Sequence, residues 1–159
     1  MLEMDPTDVL YYVDRAVDAM VEIVLSLGDE VANEKPALPG ANSPFVILNH
    51  CVGLMEFWGG EKIAGRTVVR DRAAEFTATG SVEELATRAA EQKERFAADL
   101  ERLDSLATPQ GPAKPEDAEL PLGRTQGGVV LHVVEEVFQH LGHMEITRDL
   151  LLAVMGQTQ

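Results

Sequence analysis

Three of the four histidines in this chain lie within residues 131–146, LHVVEEVFQHLGHMEI, together with a pair of glutamates. The remaining positions of this stretch are mostly apolar and recur at helical spacing, which predicts a helix packed against a protein interior. Imidazole and carboxylate groups rarely enter an interior without partners. Both are also ligands that divalent transition metals accept. The stretch therefore indicates either a metal centre or a set of polar pairs.

Helical geometry separates the four candidate groups on this stretch. An α-helix turns by about 100° per residue, which places His140 inside the apolar arc and Glu136 about 40° from it. Because Glu136 and His140 are four residues apart, they project from one face and could bind one ion. His143 follows His140 by three residues and could join them. His132 lies roughly 12 Å along the helix axis from His140, too far to share a mononuclear centre.

The fourth histidine supplies a ligand from a second element. His50 lies in FVILNHCVGLMEFW, where Ile47, Leu54 and Phe57 fall one turn before it and one and two turns after it. This spacing directs His50 to the core. His50, Glu136 and His140 together form a set of two histidines and one carboxylate. Three protein ligands leave coordination positions open, as a catalytic metal site requires.

Less specific interpretations of the same residues remain open. A histidine on an apolar face is often a satisfied core residue, and a Glu–x–x–x–His pair is often only a salt bridge. Cys51 adjoins His50 and points about 100° away from it, so we expect a buried and unreactive thiol. Trp58 is expected to pack or to line a pocket.

Four helices account for the apolar periodicity of the rest of the chain. Their predicted spans are residues 5–31, 44–65, 82–106 and 128–154. Asp5 and Ser43 each precede a proline and can cap a helix, and Ser81 with Glu84 fits a capping box. RTVVR, residues 66–70, is predicted to be a loop. The sequence thus predicts an all-α protein, a four-helix bundle with long connecting loops that forms a single domain over residues 1–159.

Composition limits the classes of partner. The formal net charge of −14 argues against nucleic acid and against an anionic membrane surface, because both need clustered basic residues. No apolar run is long enough to span a membrane, and the acidic N-terminus lacks the features of a signal peptide. The single cysteine cannot form an intramolecular disulfide. We therefore expect a cytoplasmic protein.

Three stretches resemble the DinB/YfiT-like superfamily, most closely its actinobacterial-type branch: LNHCVGLMEFWGGEKIAGR, VVRDRAAEF and LHVVEEVFQHLGHMEITRDLL. The resemblance spans positions 48–150 with gaps. It implies a bundle of unusual helix order, often a homodimer, with a divalent metal (zinc, nickel, iron or manganese) between its second and fourth helices. The ligands it implies are three histidines, of which His50 matches the first and His140 the last. Glu136 occupies the place of the middle one, a departure from the pattern.

The resemblance also implies a chemistry. Several members of the superfamily look like S-transferases that join a low-molecular-weight thiol, such as mycothiol or bacillithiol, to an electrophile. By this likeness the present chain is expected to be a metal-dependent thiol S-transferase or isomerase, in which His143 or His132 assists catalysis. Arg66 or Arg70 would steer the thiol, unless they only pair with surface acids, and Trp58 would border its cleft. The alternative is a non-enzymatic, stress-associated protein that binds a small ligand or acts through its dimer surface, with a degenerate metal site.

Overall fold

The computed structural model describes residues 4–112 and 114–156, and every regular element within them is a helix. The predicted all-α class is confirmed. In chain order the elements are α1 (Pro6–Ala32), α2 (Pro44–Met55), a π-helical segment (Glu56–Ile63), α3 (Arg72–Glu75), α4 (Val82–Leu100), α5 (Pro121–Arg124) and α6 (Gln126–Gly156).

Local sequence signals determine where the long helices begin. Asp5, Ser43 and Ser81 each accept a hydrogen bond from a backbone N–H of the first turn, so the three predicted caps are confirmed. Proline follows two of these caps, at a position where its missing N–H costs no helical hydrogen bond.

The observed helices differ from the sequence prediction at the ends of two helices and by two additional short helices. The second helix is α-helical only to Met55 and then continues as a π-helix to Ile63, with the Ala64 N–H donating to the Gly59 carbonyl. The third predicted helix ends at Leu100 instead of residue 106. The short helices α3 and α5 were not predicted, whereas residues 66–70 form a loop as predicted.

α2 is the central element of the bundle. Eleven of its twelve residues are buried, as expected for a helix whose surface is apolar almost all round. It packs against α1, α4 and α6, and α1 also packs against α4 and α6. Among the described residues α4 and α6 do not contact each other, because α1 and α2 lie between them. None of the described helices combines the length and apolar character needed to cross a membrane.

Candidate metal centre

The packing of α2 against α6 brings the three predicted metal ligands together. His50 on α2 and Glu136 and His140 on α6 offer ligand atoms that all lie within 4.8 Å of one another. The Nε2 atom of His140 is 3.5 Å from Oε2 of Glu136. His50 is almost fully buried, whereas Glu136 and His140 are partly open to solvent. The group is therefore accessible from one side and fixed on the other.

A carboxylate orients the buried histidine. The Nδ1 atom of His50 lies 2.8 Å from Oε2 of Glu75, and the His50 ring packs between Phe76 and His140, with ring centroids 4.9 and 4.8 Å away. A carboxylate can only accept, so this contact assigns the proton to Nδ1. The Nε2 lone pair of His50 then remains available to a metal ion.

An arginine holds that carboxylate in turn. Arg70 Nε donates to Oε1 of Glu75 at 2.7 Å, and Arg70 Nη2 donates to Oε2 at 2.9 Å. We refer to Arg70 and Glu75 as the inner pair. Glu75 ends α3, which packs on α2. A two-point contact of this kind fixes both the position and the plane of the carboxylate.

The protonation states at this centre suit metal binding. Burial is the main cause that lowers the pKa of His50, and burial and then the charge of His50 lower the pKa of His140. Burial alone would raise the pKa of Glu75, but the hydrogen bonds from Arg70 and His50 outweigh it, so this pKa lies below its usual value. Neutral imidazoles at pH 7 are the form in which histidine binds metals.

The donor set fits a divalent cation. Two ligands of a tetrahedral zinc ion lie about 3.3–3.5 Å apart, which matches the His140–Glu136 distance. The widest separation, up to 4.8 Å, requires only a small movement of partly exposed side chains. Imidazole and carboxylate ligands suit zinc, nickel, iron and manganese.

A cavity of about 550 Å³ opens beside this group. His50 and Glu136 form part of its wall, and Trp58 and His132 form another part, with their rings edge to face at 4.9 Å. Its remaining lining residues are Leu54, Phe57, Arg70, Arg72, Lys114, Glu116, Asp117, Leu120 and Leu122. Trp58 therefore lines a pocket, one of the two places expected for it, and His132 shares the cavity with Glu136.

Other predicted site residues lie apart from this cavity. His143 is exposed, its ring centroid is 6.2 Å from that of His140, and it does not line the cavity. Arg66 is also absent from the lining and pairs with Asp99 of α4 at 3.0 and 2.8 Å. We refer to Arg66 and Asp99 as the outer pair. Of the two arginines predicted to steer the thiol, only Arg70 borders the cavity.

The predicted burial of Cys51 is confirmed. Its side chain is inaccessible and contacts the sulfur of Met20 at 3.9 Å. Burial raises the pKa of the thiol, so Cys51 is protonated at neutral pH and is a poor nucleophile.

Three residues near the site were not singled out from the sequence: Glu75, Arg72 and Lys114. Arg72 and Lys114 are exposed cations on the cavity wall, and neither forms an ion pair within residues 4–112 and 114–156. Both Glu75 and Arg72 lie in the stretch VVRDRAAEF. The cluster of charged residues between two predicted helices was the sequence feature that could have indicated them. The sequence could not show that His50 is the partner of Glu75, because the two residues are 25 positions apart.

Comparison with known proteins agrees with this geometry. The family model described as Mycothiol-S-transferase matches residues 8–153, which is most of the chain and includes all three candidate metal ligands. No curated protein and no solved structure matches. The match supports the predicted likeness to DinB/YfiT-like proteins. The chain belongs to the mycothiol-S-transferase family.

Proposed function

We propose that this protein is a metal-dependent S-transferase, or a related isomerase, that joins a low-molecular-weight thiol of the mycothiol type to an electrophilic carbon. The observation that carries the proposal is the convergence of His50, Glu136 and His140, whose ligand atoms lie within 4.8 Å of one another, beside a cavity that His50 and Glu136 line. Family membership supports the thiol as the substrate class.

The metal centre would activate the thiol, and the cavity would hold the substrates. A divalent cation bound by His50, Glu136 and His140 would stabilise the thiolate, which is the reactive form of a thiol. His132, which lines the same cavity and has Nδ1 3.8 Å from Oε2 of Glu135, would accept the thiol proton. The sulfur–carbon bond then forms as the bond to the leaving group breaks with its electron pair.

The remaining lining residues would bind the two substrates. Trp58 and Phe57 pack edge to face at 5.1 Å and offer an aromatic surface to an apolar electrophile. Arg72 and Lys114 have no ion-pair partner among the described residues and would bind polar or anionic substrate groups. Arg70 contributes less directly, because both of its contacting nitrogens engage Glu75. His143 would assist from outside the cavity, as an additional ligand or a proton carrier.

The proposal is tested on protein purified without affinity nickel and without chelator. We expect elemental analysis to find a stoichiometric divalent metal. We expect a spectrophotometric assay with mycothiol and a chloronitrobenzene electrophile to show turnover that EDTA abolishes and the same metal restores. Wild-type protein that contains no metal, and whose melting temperature EDTA leaves unchanged, would contradict the proposal.

A non-catalytic, small-ligand-binding protein is a second candidate. It is favoured by Glu136, which stands where the family resemblance implies a histidine and lies at salt-bridge distance from His140. This candidate predicts that ligands quench the fluorescence of Trp58 without any turnover. It also predicts that Glu136→His, which recreates the three-histidine set, strengthens metal binding and introduces turnover. A wild-type enzyme that already turns over, and that Glu136→His slows, would exclude this candidate.

A further inference from the structure

We infer that Glu75, held by Arg70, is a positioning residue of the metal centre: it fixes His50 in the tautomer whose Nε2 faces a cation. This inference rests on the proposed function, because it assumes that His50 is a ligand. Glu75 itself is not among the group that could bind the metal. It acts through His50, and its contribution would appear as metal affinity.

Distances around Nδ1 of His50 support this role. Oε2 of Glu75 is 2.8 Å from Nδ1, whereas Nη2 of Arg70 is 3.4 Å away and is 2.9 Å from the same carboxylate oxygen. The arginine hydrogen therefore points to Glu75, and the imidazole proton also points to Glu75. With Nδ1 protonated, Nε2 is the only imidazole nitrogen that can bind a metal. Metal-ligating histidines typically have such a carboxylate on their other nitrogen.

α2 itself supports Glu75 in two further ways. A Cβ atom at Gly53, one turn after His50, would collide with Oε1 of Glu75, so the glycine makes room for the carboxylate. Asn49, next to His50, donates from Nδ2 to the backbone carbonyl of Glu75 at 3.3 Å and is held by Arg88 at 3.1 Å. One helix thus carries the histidine and also fixes the residue that orients it.

An ordinary structural ion pair would leave these features unexplained. The outer pair has the same two-point geometry and a carboxylate that is at least as buried, but no histidine contacts Asp99 among the described residues. Asp99→Asn therefore removes an equivalent ion pair without touching His50. It is the matched control for Glu75→Gln.

The first test requires no metal. Protein stripped with chelator and labelled with ¹⁵N-histidine reports the tautomer of His50 by NMR at a pH where the ring is neutral. We expect Nδ1 to be protonated and Nε2 unprotonated in the wild type and in Asp99→Asn, and a mixture of tautomers in Glu75→Gln. Protonation of Nε2 in the wild type, or an unchanged tautomer in Glu75→Gln, would overturn the inference.

The second test measures zinc affinity by competition with a chromophoric chelator. Glu75→Gln should weaken zinc binding by about 10–100-fold, the range typical for partners that orient a ligating histidine, whereas Asp99→Asn should stay within about twofold of the wild type. An equal loss in both variants would mean a general effect of stability and would overturn the inference. Unchanged affinity in Glu75→Gln would also overturn it. A wild type that binds no zinc would instead refute the proposed function and leave the tautomer test to decide the inference.

Gly53→Ala repeats the test without changing any charge. The added methyl should displace the Glu75 carboxylate and weaken zinc binding, as Glu75→Gln does. Gly53→Ala also provides the test if Glu75→Gln does not fold. Gly142→Ala on α6, where an added Cβ has no neighbour within 4 Å, is its control and should leave affinity unchanged. Wild-type affinity in folded Gly53→Ala would count against the positioning role.

Discussion

The arginines of the inner and outer pairs lie in one loop and bind their carboxylates in the same way. The two pairs differ in whether the carboxylate also contacts a third side chain. Arg66 and Arg70 are four residues apart, and each forms two parallel hydrogen bonds with one carboxylate, at 2.7–3.0 Å. Asp99 of the outer pair contacts no histidine among the described residues, and this pair joins the loop to α4. Glu75 of the inner pair continues to His50. An arginine–carboxylate pair therefore takes its role from its third partner.

Exposure of the two arginines differs as well. The side chain of Arg66 is 41% exposed, whereas that of Arg70 is 16% exposed. A guanidinium that loses its carboxylate can be solvated at the first position but much less at the second. The inner pair is therefore expected to be the less replaceable of the two, both for stability and for the metal centre. Three predictions test this difference, from the largest effect to the smallest.

The largest effect is expected when His50, the histidine that the inner pair contacts, is removed. His50→Ala deletes a proposed ligand, so zinc affinity should fall by more than about 100-fold, beyond the range expected for a residue that only orients a ligand. His132→Ala is the control, because His132 lines the cavity without belonging to the metal-binding group. It should reduce turnover while zinc binding persists, as measured by chelator competition. Equal zinc affinity in His50→Ala and wild type would remove the functional distinction between the two pairs.

An intermediate effect is expected on the stability of the metal-free protein. Glu75→Gln leaves Arg70 and His50 poorly solvated and should lower the free energy of unfolding by about 2–4 kcal/mol. Asp99→Asn leaves Arg66, which can turn to solvent, and should cost about 1–2 kcal/mol. Urea denaturation in the presence of chelator measures both. A larger loss in Asp99→Asn would show that burial of the carboxylate, and not solvation of the arginine, determines the cost.

The sequence could predict whatever depends on local spacing. The caps at Asp5, Ser43 and Ser81 determine where three helices start, and each is readable within four residues. Spacing alone was enough to direct His50 and His140 to the core. Not every pair of helices in the bundle meets, as α4 and α6 show, so the expectation that these two histidines lie close together rested also on the family resemblance. The predicted homodimer and the cytoplasmic location rest on resemblance and composition and stay predictions.

Features that depend on tertiary packing could not be predicted in this way. Arg66 and Arg70 are both arginines of the same loop. Only the tertiary packing determines that Arg66 pairs with Asp99 and Arg70 with Glu75. The role of Gly53 requires knowing that a carboxylate from 22 residues downstream lies against α2. Likewise, apolar spacing predicted one helix over residues 44–65 and gave no indication of the change from α-helix to π-helix after Met55.

The smallest effect is expected in the acid dependence of stability, which isolates the inner pair. The pKa of Glu75 in the folded protein lies below its unfolded value of about 4.5, because hydrogen bonds from Arg70 and His50 outweigh the effect of burial. A carboxyl group of this kind stabilises the fold above pH 4.5, and this contribution is lost as the pH falls through the folded pKa. Glutamine does not titrate, so the difference in free energy of unfolding between wild type and Glu75→Gln should narrow as the pH falls from 5.5 to about 3. Urea denaturation of chelator-treated protein at each pH measures this difference, and one that stays constant or widens toward pH 3 would contradict the ionised contact of Glu75 with His50 and Arg70.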